Sequence, residues 1–192
     1  MIKNKVYIQN FWYNNINYGA ILTAMALYEV LEQLNYDVTL IDFANVAPLS
    51  KNIFRKFIKN NFKITKPIEK YSDFSEIDQE NATYILGSDQ VLRPYIAKYR
   101  LPYFLFNYLS HNVRKIAFSA SFGTDKETLL KEISDSDIEI LKRSLKNFDF
   151  VSIREFSGVE ICKNLFDIDA KWVIDPVFLV DKSYYAKLAN NS

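Results

Sequence analysis

Side chains that could bind an anion or move a proton follow two apolar runs of this sequence. Ser88, Asp89 and Gln90 come after the first run, and Arg154 and Glu155 come after the second. The guanidinium of Arg154 is always charged, and its planar fork of donors fits a carboxylate or a phosphate. The carboxylate of Asp89 can orient a hydroxyl group or act as a general base. Arg154 and Asp89 are therefore the predicted catalytic residues.

Each of these side chains also has a structural interpretation. Serine and aspartate favour helix caps and turns, so Ser88 and Asp89 could simply cap the next helix. Arg154 could form a structural ion pair with Glu155 or Asp175, because ion-pair networks also occupy such places. The residue types alone leave both interpretations open.

The chain has only four glycines, and each lies at or just past the end of a predicted strand. They are Gly19, Gly87, Gly123 and Gly158. Gly87 is expected to let the backbone turn or approach a ligand closely, because glycine adopts conformations that other residues avoid. In an open α/β sheet, ligands bind in the crevice outside the carboxyl ends of the strands. The glycine positions therefore predict a site at this edge of the sheet.

Short apolar runs alternate with helical patterns along the whole chain. Strands are predicted at 6–8, 38–43, 83–86, 115–120, 150–153 and 172–174. Helices are predicted at 19–35, 48–66, 71–80, 156–166 and 183–189. This alternation predicts a single α/β domain over residues 1–192, with an open, mostly parallel, Rossmann-like sheet and helices on both faces.

Two more helices are predicted after the fourth strand. Thr124 and Glu127 fit a capping box, and Ser134 begins the next helical pattern.

Two loops, at 11–18 and 95–106, are rich in aromatic residues. They are expected to lie beside the crevice, because large apolar groups at a cleft usually meet a ligand or partner. The alternative is that both loops fold onto the core.

The composition excludes several classes of protein. Lys and Arg number 24 against 23 Asp and Glu, without a basic stripe, so nucleic acid and anionic membranes are poor partners. The one cysteine, Cys162, excludes an intrachain disulfide and a cysteine-based zinc cluster, and the one histidine, His111, excludes a histidine-rich metal site. We predict that Cys162 lies in the core and that His111 is exposed. The sequence contains no signal peptide and no membrane span, which favours the cytoplasm.

Several common catalytic fingerprints are missing from the sequence. It has no Gly-x-Gly-x-x-Gly segment, no P-loop and no Gly-x-Ser-x-Gly elbow. A standard dinucleotide site, a P-loop nucleotide site and a serine hydrolase site are therefore not predicted.

Five segments, in this order along the chain, resemble the motifs of the polysaccharide pyruvyl transferase family. They are Asn17-Tyr18-Gly19-Ala20, Gly87-Ser88-Asp89-Gln90-Val91, Ser119-Ala120-Ser121-Phe122-Gly123, Ser152-Ile153-Arg154-Glu155 and Asp175-Pro176. On these segments we predict the substrate-binding residues Asn17, Gly19, Ala20, Gly87, Ser88, Gln90, Ser119, Ser121, Gly123 and Glu155. The sequence departs from the family pattern at Leu92, where a tryptophan is common, and at Thr23, where a glutamine is usual.

The resemblance implies that phosphoenolpyruvate is the donor of a pyruvyl group. The group would pass to two hydroxyls of a sugar during the biosynthesis of a bacterial surface polysaccharide or exopolysaccharide, with release of phosphate. The carboxylate and phosphate of the donor need a cationic partner, and Arg154 fits that need. No metal and no cofactor besides the donor substrate is expected.

The resemblance also implies that the chain corresponds to the N-terminal half of a GT-B-like, two-domain transferase. The second half of such proteins carries a segment with a catalytic histidine, and no segment of this sequence matches it. A missing C-terminal half or a partner chain is therefore expected to complete the enzyme. Two other functions remain open, a non-catalytic sugar- or anion-binding half-domain and one half of a glycosyltransferase.

Overall fold

Six parallel strands of the described residues form one open sheet. A computed structural model describes residues 3–12, 17–43 and 53–190. The strands are β1 (Lys5–Gln9), β2 (Asp37–Leu40), β3 (Ala82–Leu86), β4 (Arg114–Ala120), β5 (Phe150–Ile153) and β6 (Lys171–Trp172). Their order is β2-β1-β3-β4-β5-β6, and every neighbouring pair is parallel. The predicted α/β fold with an open parallel sheet is confirmed, and its likeness to half of a two-domain transferase stays a prediction.

Successive strands are first added on one side of β1 and then on its other side. β2 lies on one side of β1, whereas β3 to β6 follow one another on the other side. Crossover connections between parallel strands are right-handed, so the helices of the two directions cover opposite faces of the sheet. Sheets of this kind bind ligands at the carboxyl ends of the strands where the order reverses, which here are β1 and β3.

Eight α-helices lie in the described residues. They are α1 (Tyr18–Gln33), α2 (Ile53–Asn61), α3 (Pro94–Ala97), α4 (Leu101–Phe104), α5 (Lys126–Glu132), α6 (Asp135–Leu145), α7 (Phe156–Ile161) and α8 (Lys182–Asn190). Short 3-10 helices lie at Tyr71–Glu76, Lys98–Arg100 and Pro176–Leu179, and α7 continues into a π-helical turn at Cys162–Phe166. Within these described ranges, no helix combines the length and the apolar character that crossing a bilayer requires.

The second predicted helix is shorter than 48–66. Residues 48–52 lie outside the described residues, and α2 ends at Asn61. The chain then pairs with the edge strand β2, since the Leu40 amide donates to the Lys63 carbonyl and the Thr65 amide donates to the Leu40 carbonyl, both at 2.9 Å. β-branched residues such as Thr65 fit a strand better than a helix end, and this pairing replaces the predicted last turn.

The cap of α5 is one residue later than predicted. Asp125, and not Thr124, is the N-cap residue, and its carboxylate accepts a hydrogen bond from the Thr128 amide at 2.8 Å. The prediction for α6 is confirmed, because Ser134 caps it and accepts from the Asp137 amide at 3.2 Å.

Four aromatic side chains of the two aromatic loops pack into the core, whereas Tyr18, Tyr95 and Tyr99 are exposed. Phe11, Trp12, Phe104 and Phe106 are all buried, and the Trp12 indole donates to a backbone carbonyl at 3.0 Å. The expectation that the aromatic loops border the crevice is wrong for these side chains, because burying large rings removes far more apolar area from water. Residues 13–16 of the first loop lie outside the described residues.

Candidate active site

Arg154, Ser88 and Asp175 form a hydrogen-bonded triangle at the carboxyl ends of β3 and β5. The Arg154 Nη1 donates to Asp175 Oδ2 at 2.9 Å and to Ser88 Oγ at 3.3 Å. Ser88 Oγ donates to the same Asp175 oxygen at 2.9 Å, and Asp175 Oδ1 accepts from the Val177 amide at 3.0 Å. Both structural ion pairs that the sequence left open are therefore present, with Asp175 at 2.9 Å and with Glu155 at 4.0 Å. The contact with Asp175 fixes one side of the guanidinium.

The other side of the Arg154 guanidinium makes no hydrogen bond to the described part of the chain. Its Nη2 lies 4.0 Å from Asp89 Oδ1, and its Nε lies 4.0 Å from Glu155 Oε2. The side chain is 28% exposed. Nη2 and Nε are therefore available to an anionic ligand that enters from solvent.

Asp89 is a buried carboxylate between Arg154 and the start of α1. Its Oδ2 accepts from Asn17 Nδ2 at 3.3 Å, and its Oδ1 accepts from the Gln90 amide at 2.8 Å. Desolvation by burial raises the pKa of Asp89 above its ordinary value, against the lowering effects of the Gln90 amide and the Arg154 charge. A carboxylate with a raised pKa is a better proton acceptor than an exposed one, which suits Asp89 to take a proton from a hydroxyl.

The backbone of Asp89 has a conformation that residues with a side chain rarely adopt. Its φ angle is 141°. Such conformations persist only where the surrounding structure holds them, and they cluster at functional sites. The observation therefore supports the hypothesis that Asp89 has a functional role.

Asn17 joins α1 to the site. Its Oδ1 caps the helix by accepting from the Ala20 amide at 3.1 Å, while its Nδ2 donates to Asp89. Gly19 lies in the exposed first turn, and a Cβ there would be 3.1 Å from Asn17 Oδ1. The structure therefore brings Asn17, Gly19 and Ala20 to the side of the crevice on which Asp89 lies.

Glu155 reaches across the crevice edge to the loop that follows β4. Its Oε1 accepts from the Phe122 amide at 2.7 Å, from Ser121 Oγ at 3.0 Å and from the Gly123 amide at 3.2 Å. Gly123 has a φ of 63°, and a Cβ there would lie 2.2 Å from the Gln90 side chain. Ser121, Gly123, Gln90 and Glu155 therefore form one packed cluster beside Arg154.

Ser119 and Gly87 lie at the same edge of the sheet but inside the protein. Ser119 is fully buried where β4 shifts register, and its Oγ has no hydrogen-bond partner among the described residues. Gly87 continues the pairing of β3 with β1, and a Cβ there would make only ordinary contact with Asn10, at 3.4 Å. Gly87 has no positive φ, and the unusual φ falls two residues later, at Asp89. The close approach of Gly87 to a ligand stays a prediction.

Sequence reasoning did not include Asn10 and Asp175 among the site residues. The buried Asn10 Nδ2 donates to the Ser88 carbonyl at 2.7 Å and to Thr23 Oγ1 at 3.2 Å, and so fastens the loop after β3 to α1. The signal for Asn10 was its position directly after the first strand. The signal for Asp175 was the Asp175-Pro176 segment, which resembles the last motif of the family but was not assigned a site residue.

The one cysteine and the one histidine of the sequence take no part in this site. Cys162 is buried in the core, and burial raises the pKa of its thiol to about 12. His111 is exposed, in the turn before β4. Both predictions are confirmed.

Comparison with protein families finds one match that covers most of the chain. The model of the family described as Polysaccharide pyruvyl transferase matches residues 17–192. That span contains every predicted site residue. Neither a curated protein nor a solved structure matches the chain.

Proposed function

The chain belongs to the polysaccharide pyruvyl transferase family, and from this premise we propose that it transfers a pyruvyl group from phosphoenolpyruvate to a sugar. The acceptor is a surface polysaccharide or its precursor, and the reaction belongs to exopolysaccharide biosynthesis in the bacterial cytoplasm. The observation that carries the proposal is the guanidinium of Arg154, whose Nη2 and Nε lie 4.0 Å from Asp89 and Glu155 and make no hydrogen bond to the described residues.

The proposed reaction turns an enol phosphate into a cyclic ketal. The C3 methylene of phosphoenolpyruvate gains a proton and becomes a methyl group, while two sugar hydroxyls add to C2. The C2–O bond to phosphate breaks, and phosphate leaves with its bridging oxygen. The hydroxyls lose two protons in total, of which one balances the proton gained at C3 and the other leaves with phosphate.

Arg154 and Asp89 have separate roles in this proposal. The free Nη2 and Nε of Arg154 bind an anionic group of the donor, because a charged, forked donor fits a carboxylate or phosphate. Asp89 takes a proton from an acceptor hydroxyl, since its raised pKa makes it a better base than an exposed aspartate. Asn17 and Gln90, which contact Asp89 directly, orient the reacting groups.

A phosphate-release assay tests the transferase proposal. The protein is incubated with phosphoenolpyruvate and a panel of glycans, and phosphate is measured together with the new ketal methyl group on the glycan. We expect equal amounts of phosphate and ketal from at least one acceptor, and at least a hundredfold lower rate for Arg154→Ala, on the order expected when a charged group is lost from the reacting centre. Arg114→Ala, at the exposed start of β4, is the control that loses the same charge far from the site.

Two other results would contradict the proposal, one from a binding measurement and one from incubation with nucleotide sugars. Binding of sugars or phosphoenolpyruvate without turnover would favour a non-catalytic binding module. Turnover of a nucleotide sugar would favour a glycosyltransferase half.

A further inference from the structure

Three hydrogen-bond donors converge on one oxygen of the Glu155 carboxylate. Two are the backbone amides of Phe122 and Gly123, at 2.7 and 3.2 Å, and the third is Ser121 Oγ, at 3.0 Å. Successive amides that point at one place form a concave site for an anion. Here a carboxylate of the protein itself occupies that place.

The same carboxylate also faces the free side of the arginine. Glu155 Oε2 lies 4.0 Å from Arg154 Nε, so the group lies between the amides on one side and the guanidinium on the other. The Glu155 side chain is 24% exposed, so it already borders solvent. An anion that replaced it would meet two amides, a hydroxyl and an arginine.

We propose that the loop 121–123 and Arg154 form the site for the phosphate of the donor, and that Glu155 occupies this site until the donor displaces it; this rests on the function proposed above. A phosphate group offers more acceptor oxygens and more charge than a carboxylate, so it can engage the loop and the guanidinium at once. Glu155 therefore competes with phosphoenolpyruvate for this site. While no ligand is bound, the Glu155 carboxylate stays hydrogen-bonded to the two amides and the hydroxyl of the loop.

A purely structural role for Glu155 is the alternative. In that role its carboxylate only ties the loop after β4 to the end of β5, and its removal would loosen the site and weaken binding. The two roles predict opposite changes in anion affinity when the carboxylate is removed. This opposition in sign makes the assignment testable without turnover.

The test is a calorimetric titration of inorganic phosphate into the whole protein and its variants. We expect Glu155→Ala to bind phosphate about tenfold more tightly than the wild type, because the competing charge-assisted hydrogen bonds are gone. Glu155→Gln keeps a neutral acceptor for the three donors and is expected to bind phosphate about threefold more tightly. If Glu155→Ala does not fold, as judged by its thermal transition, Glu155→Gln decides the question.

Two further variants locate the effect. Glu160→Ala removes one exposed charge from α7 and is expected to leave phosphate binding unchanged. Adding Ser121→Ala to Glu155→Ala removes one of the three hydrogen-bond donors. We expect the double variant to bind phosphate about fivefold more weakly than Glu155→Ala, which cancels most of the gain. A tenfold gain that persists undiminished in the double variant would mean that only charge repulsion was relieved, and would overturn the assignment.

The remaining outcomes separate this inference from the proposed function. Equal or weaker phosphate binding by Glu155→Ala overturns it, even if the wild type binds phosphoenolpyruvate. A gain for pyruvate, which carries only a carboxylate, without a gain for phosphate also overturns it. If phosphate binding improves as expected but phosphoenolpyruvate does not bind any form, the anion site stands and the proposed donor is wrong.

Discussion

At the scale of single residues, Asp89 is subject to opposing electrostatic influences. Burial is the largest effect and raises its pKa, and the nearby Asp175 acts in the same direction, whereas the Gln90 amide and Arg154 lower it. The raising effects win. The folded protein therefore holds a proton on Asp89 more tightly than the unfolded chain does, and stability falls as pH rises from the ordinary aspartate range through the raised value.

Asp89→Asn should remove this pH-dependent loss of stability. Below the ordinary pKa both forms are neutral at this position, so the variant gains little. Above the raised pKa the wild type pays for a buried charge, so the variant gains stability relative to it. We expect the difference in the free energy of unfolding, measured by urea denaturation, to favour Asp89→Asn more at about pH 7 than at about pH 3.

Asp167→Asn is the control for this experiment, because Asp167 is exposed and lies before β6, on the side of the sheet where the strands begin and opposite the site. A difference between Asp89→Asn and the wild type that is the same at both pH values would contradict the raised pKa of Asp89.

Residue types predicted part of the site and missed the rest. The apolar run followed by Arg154 pointed to a cation at the sheet edge, and the structure places that cation beside Asp89. The sequence could not decide between a ligand-binding and a structural arginine, and Arg154 in fact divides its donors, with Nη1 on Asp175 and the others free of hydrogen bonds in the described part of the chain. Asn10 was missed because a loop rich in asparagine gives no sign of which one turns inward.

At the scale of secondary-structure elements, the start of α5 provides a direct test of the helix cap. Asp125 accepts from the Thr128 amide, and the adjacent Thr124 is not the cap. We expect Asp125→Ala to lower the thermal midpoint by about 3 °C, because a helix amide loses its partner. Thr124→Ala is the matched control, with an expected change of less than about 1 °C. The reverse order would show that the capping box predicted from the sequence is correct after all.

Gly123, in the loop after β4, should be more sensitive to substitution than Gly87, the glycine that follows β3. A Cβ at Gly123 would lie 2.2 Å from the Gln90 side chain, and its φ of 63° strains any other residue. We expect Gly123→Ala to lower the free energy of unfolding by about 2 kcal/mol. The same change at Gly87, where a Cβ meets its nearest neighbour at 3.4 Å, should alter it by less than about 1 kcal/mol.

A double variant separates the two causes at Gly123. Adding Gln90→Ala removes the steric contact but not the strained φ, so it should restore only part of the lost stability. Complete recovery would mean that the backbone conformation contributes nothing, and equal effects at Gly87 and Gly123 would contradict the geometry of both loops.

Local patterns predicted the strands better than the ends of the helices. The apolar runs of β3, β4 and β5 were placed within a residue or two, because a buried strand shows in its own side chains. The end of α2 was placed too late, because the residues after it pair with β2 and no local pattern contains that partner. For the same reason the sequence could not show whether the aromatic loops cover the crevice or the core.

At the scale of the whole molecule, the site lies where the strand order reverses. β1 and β3 are neighbours, and the segments after them carry Asn10, Asn17, Ser88 and Asp89. The βαβ pattern made a parallel sheet predictable, but the order of strands depends on long-range pairing. Arg154 follows β5, two strands away from β3, and its Nη1 contacts both Ser88, after β3, and Asp175, after β6.

The most direct test of the proposed donor site is a calorimetric titration of phosphoenolpyruvate into the wild type, Arg154→Ala and Arg114→Ala. We expect the wild type and the surface control to bind with the same affinity. Arg154→Ala should bind at least about a hundredfold more weakly, because two charge-assisted hydrogen bonds are lost, while its thermal transition shows an intact fold. Unchanged affinity in Arg154→Ala, or no binding by the wild type, would contradict the assignment of this crevice to phosphoenolpyruvate.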